Sequence, residues 1–164
     1  MLVENWEHLS PWIPRRVADP ATVAEVEQRL ESFADDFAND LKWRYGMFAP
    51  DESRIVGEID LFPRDAADRV PYMAADRAEI GYWIRKDMAG QGLVTEGVET
   101  IIGIARGLER IRRLEIRCDA ANLASSAIPK RLGFTLEGAV DEPGTAAGRR
   151  GSKLQIWIMD PLTR

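Results

Sequence analysis

The hydrophobic residues follow two kinds of spacing along the chain, one typical of helices and one typical of strands. Apolar residues three or four positions apart, with acidic residues on the opposite face, predict an amphipathic helix whose apolar stripe is Val23, Val26, Leu30, Phe33, Phe37 and Leu41. Asp19-Pro20 predicts its start, because aspartate caps helices and proline suits the first helical position. A short helix is predicted at Glu4–Leu9, ended by Ser10-Pro11.

Alternating apolar and polar residues predict the strands. Residues 43–48 and 55–62 form two antiparallel strands joined by a turn at residues 50–53, and the second strand places Glu58 and Asp60 on one side. Further strands are predicted at 79–84, 114–119, 135–140 and 153–159. Helices are predicted from residue 93 to 108 and from 122 to 132, the latter closed by Gly133. Residues 63–77 and 142–152 are predicted loops.

The strand at residues 79–84 leads through Gly90-Gln91-Gly92 directly into a helix. Free backbone N–H groups and the positive end of the helix dipole meet at such a junction and favour an anion. Thr95 lies in the first helical turn, where its hydroxyl can reach a phosphate oxygen. An ordinary strand-to-helix turn has the same short pattern, so this stretch alone does not decide between the two.

Composition indicates one domain spanning residues 1–164, with no membrane-spanning segment or signal peptide. One cysteine, Cys118, excludes an internal disulfide, fits a reducing cytoplasm and is expected in the core. With one histidine, a His/Cys metal site is not expected.

The net charge of −5 argues against nucleic-acid binding. Residues 1–60 hold 13 acidic and 6 basic side chains, whereas residues 61–164 hold 14 acidic and 16 basic. The first part would attract cations, and the second would tolerate a polyanion.

Two motifs in a fixed order are more specific evidence than either motif alone. The segments are Gly81-Tyr82-Trp83-Ile84 with Gly90-Gln91-Gly92, and Asn122-Leu123-Ala124-Ser125 with Lys130-Arg131-Leu132-Gly133-Phe134. With them the chain resembles the GNAT superfamily of N-acetyltransferases, in particular its RimJ/RimL-like branch. The likeness extends from about residue 5 to the C-terminus and includes the opening from Trp6 to Trp12.

The resemblance implies an α/β (α+β) GNAT fold, a mixed and mostly antiparallel sheet of about six strands flanked by about four helices. The strands ending at Ile84 and near Asp119 would splay apart to admit the co-substrate acetyl-CoA. No metal is implied. The implied acetyl-CoA contacts are Trp83, Ile84, Ala89, Gly90, Gln91, Gly92, Leu93, Val94, Thr95, Asn122 and Lys130.

The chain departs from the family pattern at three places. Ala89 and Val94 replace the first and last residues of the usual loop motif, so backbone contacts must hold the phosphates. Pro129 stands where many relatives have the tyrosine that acts as the acid, which shifts that role to Ser125. Relatives begin with a strand before the first helix, and at most residues 1–3 could form that strand here. A partner copy could supply such a strand, which leaves a homodimer open.

Acetyl transfer to an amine needs a base, and Glu79 is the first candidate, with Glu58 and Asp60 as the second choice. Trp6, Trp12, Glu58 and Asp60 are expected to receive the acceptor, since the family builds that pocket from this part of the chain. A protein N-terminus and a small amine such as an aminoglycoside antibiotic both fit. The alternative function is a degenerate acyl-CoA-binding sensor or scaffold.

Overall fold

The computed structural model describes residues 3–14, 21–141 and 153–160. The α-helices in these ranges are α1 (Trp6–Leu9), α2 (Val23–Ala38), α3 (Leu93–Arg106) and α4 (Leu123–Arg131). The strands are β1 (Trp43–Phe48), β2 (Ile55–Arg64), β3 (Arg77–Ile84), β4 (Arg113–Asp119), β5 (Thr135–Asp141) and β6 (Lys153–Met159). Short 3-10 helices cover Val3–Asn5, Tyr72–Ala74 and Lys86–Met88. Within the described ranges, no helix is long and apolar enough to cross a membrane.

The six strands form one sheet in the order β1-β2-β3-β4-β6-β5. Among the described strands, only β3 and β4 run parallel; every other neighbouring pair is antiparallel. The predicted mixed, mostly antiparallel sheet with four helices is therefore confirmed. Strand positions also agree with the hydrophobic pattern, with β1 and β6 as predicted and the others extended by one or two residues.

The parallel pair separates halfway along its length. Pairing runs from Arg77 opposite Arg113 to Ile80 opposite Ile116 and then stops, although β3 continues to Ile84 and β4 to Asp119. Beyond that point β3 remains paired with β2, and β4 remains paired with β6. Each strand therefore follows its own half of the twisted sheet, and the predicted gap opens between them.

Helix α3 packs its apolar face onto one side of this sheet. Val98, Ile101 and Ala105 lie at or near zero exposure. They pack in one cluster with sheet residues that point the same way, namely Ile59, Leu61, Ile80, Leu114 and Ile116. Because this core spans β2, β3 and β4, it fixes both walls of the gap.

Helix α2 begins with a capping box, in which Thr22 Oγ1 and the Glu25 carboxylate each accept a bond from the other residue's backbone N–H. The start predicted at Asp19-Pro20 lies outside the described residues, as does the predicted loop at 142–152. The helix prediction is confirmed, but its apolar stripe is not a core face. Val23 and Leu30 are 76% and 58% exposed. The helix contacts the sheet edge through Phe33, whose ring centre lies 4.1 Å from the Arg44 guanidinium carbon.

The side of the sheet opposite α3 carries a buried ion network at the closed end of the gap. Arg64 is 2% and Glu115 is 1% exposed, and the two are hydrogen-bonded. Arg77 and Arg117 also donate to Glu115. Burial alone would raise the pKa of Glu115, but the bond from Arg117 and the charges of Arg64 and Arg117 outweigh it, so the pKa is lowered.

Replacing Arg64 with Met should lower the free energy of unfolding by about 3–5 kcal/mol, because the buried Glu115 then loses a charged partner. Urea denaturation measures the change. The control is Arg54→Met, whose partner Asp87 is 48% exposed, as the arginine itself is 47%. That variant should lose about 1 kcal/mol or less. Equal losses in the two variants would show that the buried network has no special weight.

Candidate active site

The gap between β3 and β4 opens into a cavity of about 480 Å³. Its walls come from the segment around α1, the outer half of β3, the loop and first turn of α3, and helix α4. Most of the predicted acetyl-CoA contacts line it, namely Trp83, Ile84, Ala89, Gly90, Gly92, Leu93, Val94, Thr95 and Asn122. Ser125 and Trp12 line it as well, whereas Gln91, Lys130, Glu79 and Trp6 do not.

The glycine loop gives one end of this cavity a backbone geometry that favours an anion. Gly90 and Gly92 have φ of 77° and 86°, the left-handed region that other residues avoid. A Cβ on either glycine would meet no protein atom within 4 Å, so backbone conformation and not packing requires glycine here. Gly92 caps α3 without a side-chain bond, and the first intrahelical bond is Glu96 N–H to Gly92 O. The N–H groups of the first turn therefore point outward at the positive end of the helix.

One basic side chain stands beside this end. Arg131 lines the cavity and donates from Nη1 to Thr95 Oγ1 over 3.1 Å. Its neighbour Lys130, the predicted phosphate contact, is exposed and lies outside the cavity. Gln91 turns away and donates to the carbonyl of Asp87. Arg131 is thus the cation best placed to meet a phosphate.

The N-terminal segment forms a wall of the cavity because it is fixed to the turn after β3. Asn5 is 5% exposed, and its side-chain oxygen accepts the backbone N–H of Lys86 over 2.9 Å. Glu4 pairs with Arg85 at 3.5 Å. This attachment brings the side chains of His8, Leu9, Trp12 and Ile13 to the cavity.

Two hydroxyls meet where the strands part. Ser125 Oγ donates to Tyr82 Oη over 3.1 Å, and the Tyr82 hydroxyl donates to the Ser125 carbonyl over 3.1 Å. Both residues line the large cavity and also a smaller one of about 80 Å³ between β3 and β4. Burial raises the pKa of Tyr82 far above its ordinary value, outweighing the bond from Ser125, so the phenol stays protonated.

Pro129 explains why Tyr82 finds this partner. In an α-helix the carbonyl of residue 125 would accept the N–H of residue 129, and proline has no N–H. Pro129 lies inside α4 and is buried. The Ser125 carbonyl therefore lacks its regular helical donor, and the Tyr82 hydroxyl supplies one. At the helix start, Asn122 Oδ1 accepts the Ser125 N–H over 3.1 Å.

The predicted base Glu79 lies within the arginine cluster at the closed end. Its Oε1 accepts from Arg69 over 2.6 Å, and its Oε2 lies 3.9 Å from both Arg64 and Arg117. Glu79 is therefore an ion-pair partner of three arginines. Glu58 is also paired, 3.1 Å from Arg44.

Asp60 is the least satisfied carboxylate of this sheet face. It is 7% exposed, its Oδ1 is buried without a hydrogen-bond partner among the described residues, and its Oδ2 lies 3.6 Å from Arg44. Burial, and secondarily the charge of Glu58, raises the pKa of Asp60 to about 7 against the opposing effect of Arg44 and Arg69. Opposite it stands Gly81, where a Cβ would lie 3.6 Å from Asp60 Oδ2. Gly81 lines the smaller cavity.

Cys118 also lines the smaller cavity, but only 7% of it is exposed. Burial raises the pKa of its thiol, which makes it a weak nucleophile, in agreement with the predicted core role. Among the described residues, no group of three or more His, Cys, Asp and Glu side chains could hold a metal ion.

The motifs did not indicate Tyr82 as a functional residue. Strand alternation places Ile80, Tyr82 and Ile84 on one side of β3, but a tyrosine there reads equally as core. Only the parting of the strands turns its hydroxyl toward Ser125. The apolar walls formed by Leu9 and Ile128 were missed for the same reason, since sequence distance hides their proximity.

The architecture is that of an acyltransferase that uses acyl-CoA as its donor. It combines a split sheet, a glycine loop before a helix and a cavity that joins them. The family model for the acetyltransferase (GNAT) domain matches residues 2–135, and the chain belongs to this family.

Curated relatives agree with this assignment. "Probable N-acetyltransferase YjcK" of Bacillus subtilis is 26% identical over 135 residues, which cover 82% of this chain and 71% of that protein. The ribosomal protein uS5-alanine N-acetyltransferase of Escherichia coli is also 26% identical over 135 residues, covering 82% of this chain and 66% of that one.

Solved structures share the fold. RimL, a ribosomal alpha-N-protein acetyltransferase in complex with coenzyme A, superposes with a TM-score of 0.81 at 19% identity, covering 98% of this chain and 84% of that one. The microcin C7 self-immunity acetyltransferase MccE, in complex with acetyl-CoA and AMP, gives a TM-score of 0.80 at 21% identity, covering 97% of this chain and 82% of that one.

Replacing Gly92 with Ala should weaken acetyl-CoA binding about tenfold, because a residue with a Cβ resists the left-handed conformation by about 1–2 kcal/mol. Isothermal titration calorimetry measures the dissociation constant. Gly103→Ala is the matched control: its Cβ also meets no atom within 4 Å, but it lies inside α3 without a positive φ. That variant should bind normally and be slightly more stable. Normal binding by Gly92→Ala would contradict the loop's role.

Proposed function

We propose that the protein transfers the acetyl group of acetyl-CoA to a primary amine by direct attack of the amine on the thioester. The observation that carries this proposal is the continuous cavity from the free N–H groups of the α3 N-terminus to the hydroxyl pair at the split. A polyanionic tail and a thioester need these two environments in that order.

The donor is proposed to lie along β3. The pyrophosphate would meet the glycine loop, the first turn of α3 and Arg131. The thioester would lie near the outer end of β3, where Ile84, whose backbone groups face the gap, has no partner on β4. Unpaired strand N–H groups are suited to bind the pantetheine amides and the oxyanion of the tetrahedral intermediate. Asn122, although it caps α4, has an amide nitrogen left for the same ligand.

The acceptor is proposed to be a cationic amine that approaches from the sheet face carrying Glu58 and Asp60. Trp12 lines both cavities and offers an aromatic wall there. A peptide N-terminus and a small amine both meet these requirements. The uS5-alanine and RimL relatives act on ribosomal proteins by name, which makes a protein N-terminus the first acceptor class to test. We place this reaction in the cytoplasm, where acetyl-CoA and a free thiol coexist.

Asp60 is the proposed proton acceptor, with Glu79 as the alternative. An attacking amine must first lose the proton of its ammonium form. Asp60 has a carboxylate oxygen without a hydrogen-bond partner among the described residues, and its other oxygen faces Gly81, which lines the smaller cavity. A Cβ on Gly81 would lie 3.6 Å from Asp60 Oδ2 and 3.1 Å from the Phe62 ring, so access to the carboxylate depends on that ring. Glu79, in contrast, is held by Arg69. A cavity of about 80 Å³ has room for a relaying water.

A catalytically inactive acyl-CoA sensor is the second candidate function. It is favoured by one observation, Pro129 at the position of the family's usual acid. A sensor would bind acetyl-CoA without turning it over, whereas an enzyme would bind it and turn it over.

Thiol release from acetyl-CoA, followed with a chromogenic thiol reagent, separates these functions. The amine panel should contain N-terminally free peptides, a polyamine and an aminoglycoside. We expect saturable, amine-dependent release and an acetylated product by mass spectrometry. Saturable binding of acetyl-CoA with no release for any amine would favour the sensor.

The acidic limb of the pH–rate profile tests Asp60. Because the pKa of Asp60 is raised to about 7, the rate at saturating amine should rise as the pH increases through 7. Asp60→Asn should abolish this limb and lower kcat about a hundredfold or more. Glu58→Gln should shift the limb to lower pH, since a negative neighbour that raises the Asp60 pKa is removed.

The ionisation of the amine contributes equally to all of these profiles and therefore cancels in the comparison. Glu79→Gln serves as the counterpart variant. If the limb disappears in Glu79→Gln and persists in Asp60→Asn, Glu79 is the base instead.

A further inference from the structure

The reaction proposed above leaves open what assists the departing thiolate, because Pro129 stands in place of the expected acid. We propose that Tyr82 takes over as a positioning residue, fixing the Ser125 hydroxyl so that Ser125 can pass a proton to the sulfur. This inference rests on the proposed function and specifies one step of it.

The contacts that carry it form a closed pair. The Tyr82 hydroxyl donates to the Ser125 carbonyl, and the Ser125 hydroxyl donates to Tyr82 Oη, each over 3.1 Å. One phenol thus fixes both the backbone and the side chain of a single residue. A serine at the start of a helix would otherwise choose among rotamers or bond to its own backbone.

Pro129 is the reason this pair can form in α4. It removes the N–H that would bond to the Ser125 carbonyl. The Tyr82 hydroxyl on β3 donates to that carbonyl instead. The loss of the usual acid and the recruitment of Tyr82 therefore share one cause. Pro129 is itself buried, and the Phe134 N–H donates to its carbonyl over 2.9 Å, so the proline is packed into the fold.

The location of the pair fits the step. Tyr82 and Ser125 line both the large cavity and the smaller one between the strands, so they stand where the donor and acceptor sides meet. The phenol itself is a weak acid in this site, since burial raises its pKa far above the ordinary value. Tyr82 is therefore suited to position Ser125 through hydrogen bonds and not to act as the acid itself.

The step balances as follows. The amine nitrogen forms a bond to the acetyl carbon, and the carbon–sulfur bond breaks as the tetrahedral intermediate collapses. The Ser125 hydroxyl, whose single proton points to Tyr82 Oη at rest, turns toward the sulfur and passes that proton to it, so that the sulfur leaves as the free thiol of CoA. Ser125 Oγ takes the proton that the acetylated nitrogen loses and returns to its starting state. Tyr82 remains protonated throughout and holds Ser125 in place through its bond to the Ser125 carbonyl.

Tyr82→Phe is the first test. It should lower kcat about ten- to a hundredfold and leave the dissociation constant of acetyl-CoA within twofold, because the change affects the leaving group and not donor binding. Ser125→Ala should lower kcat at least as much, and the double variant should lose little more than Ser125→Ala alone. Ser126→Ala is the matched control; its hydroxyl donates only to the Leu123 carbonyl, and it lines neither cavity.

A selenium analogue of acetyl-CoA gives the readout that a merely structural role would not change. A selenolate is a far better leaving group and needs little protonation, so the deficits of Tyr82→Phe and Ser125→Ala should shrink at least tenfold with this donor. Deficits that stay the same with sulfur and selenium would overturn the assignment.

Pro129→Ala separates positioning from stability. Alone, Tyr82→Phe should lower Tm, because the Ser125 carbonyl loses its donor. In the Pro129→Ala background the restored N–H of residue 129 should remove most of that Tm loss, while the kcat deficit of Tyr82→Phe persists. Recovery of kcat together with Tm would show that Tyr82 only satisfies a carbonyl, and the proposal would then fail. Wild-type protein without turnover would instead refute the proposed function itself.

Discussion

Everything at the candidate site depends on two neighbouring strands that pair for four residues and then part. Hydrogen bonding favours continued pairing, yet β3 and β4 each have a second neighbour that continues to their outer ends. Their unpaired backbone groups would be costly if buried without a partner. They are tolerable because the gap is a cavity, open to water or to a ligand that carries its own amides. The same feature that weakens the sheet therefore creates its binding site.

The closed end of the gap provides the stability that the open end lacks. Arg64 and Glu115 are almost fully buried, and Glu79 lies against the same arginines. Removing one charge from a network of this kind leaves a buried partner with fewer compensating charges. It is therefore a poor place for a group that must gain and lose a proton in every turnover. Asp60, one strand further from the split, is held less tightly, with one buried oxygen that has no hydrogen-bond partner among the described residues.

The proline in α4 changes which groups form hydrogen bonds at the candidate site. A proline in a helix ordinarily costs a hydrogen bond. Here the freed Ser125 carbonyl is satisfied from β3, and that bond brings the Tyr82 hydroxyl onto the Ser125 hydroxyl. The helix keeps its length through Arg131, and the two hydroxyls meet at the junction of α4 and β3.

Local patterns in the sequence were enough to determine the elements, the glycine loop and the family. Periodicity of apolar residues, glycine at positions 90 and 92 and the order of the two motifs depend on neighbours in the chain, which a sequence displays directly. Long-range contacts were decided only by the tertiary structure. The strand register brings Gly81 to Asp60, the loop after β2 brings Arg69 to Glu79, and the packing of α4 brings Ser125 to Tyr82. The two hydrogen-bonded pairs are 10 and 43 positions apart in the chain. Whether a carboxylate is an ion-pair partner or a proton acceptor depends on such neighbours, because burial and nearby charge set its pKa.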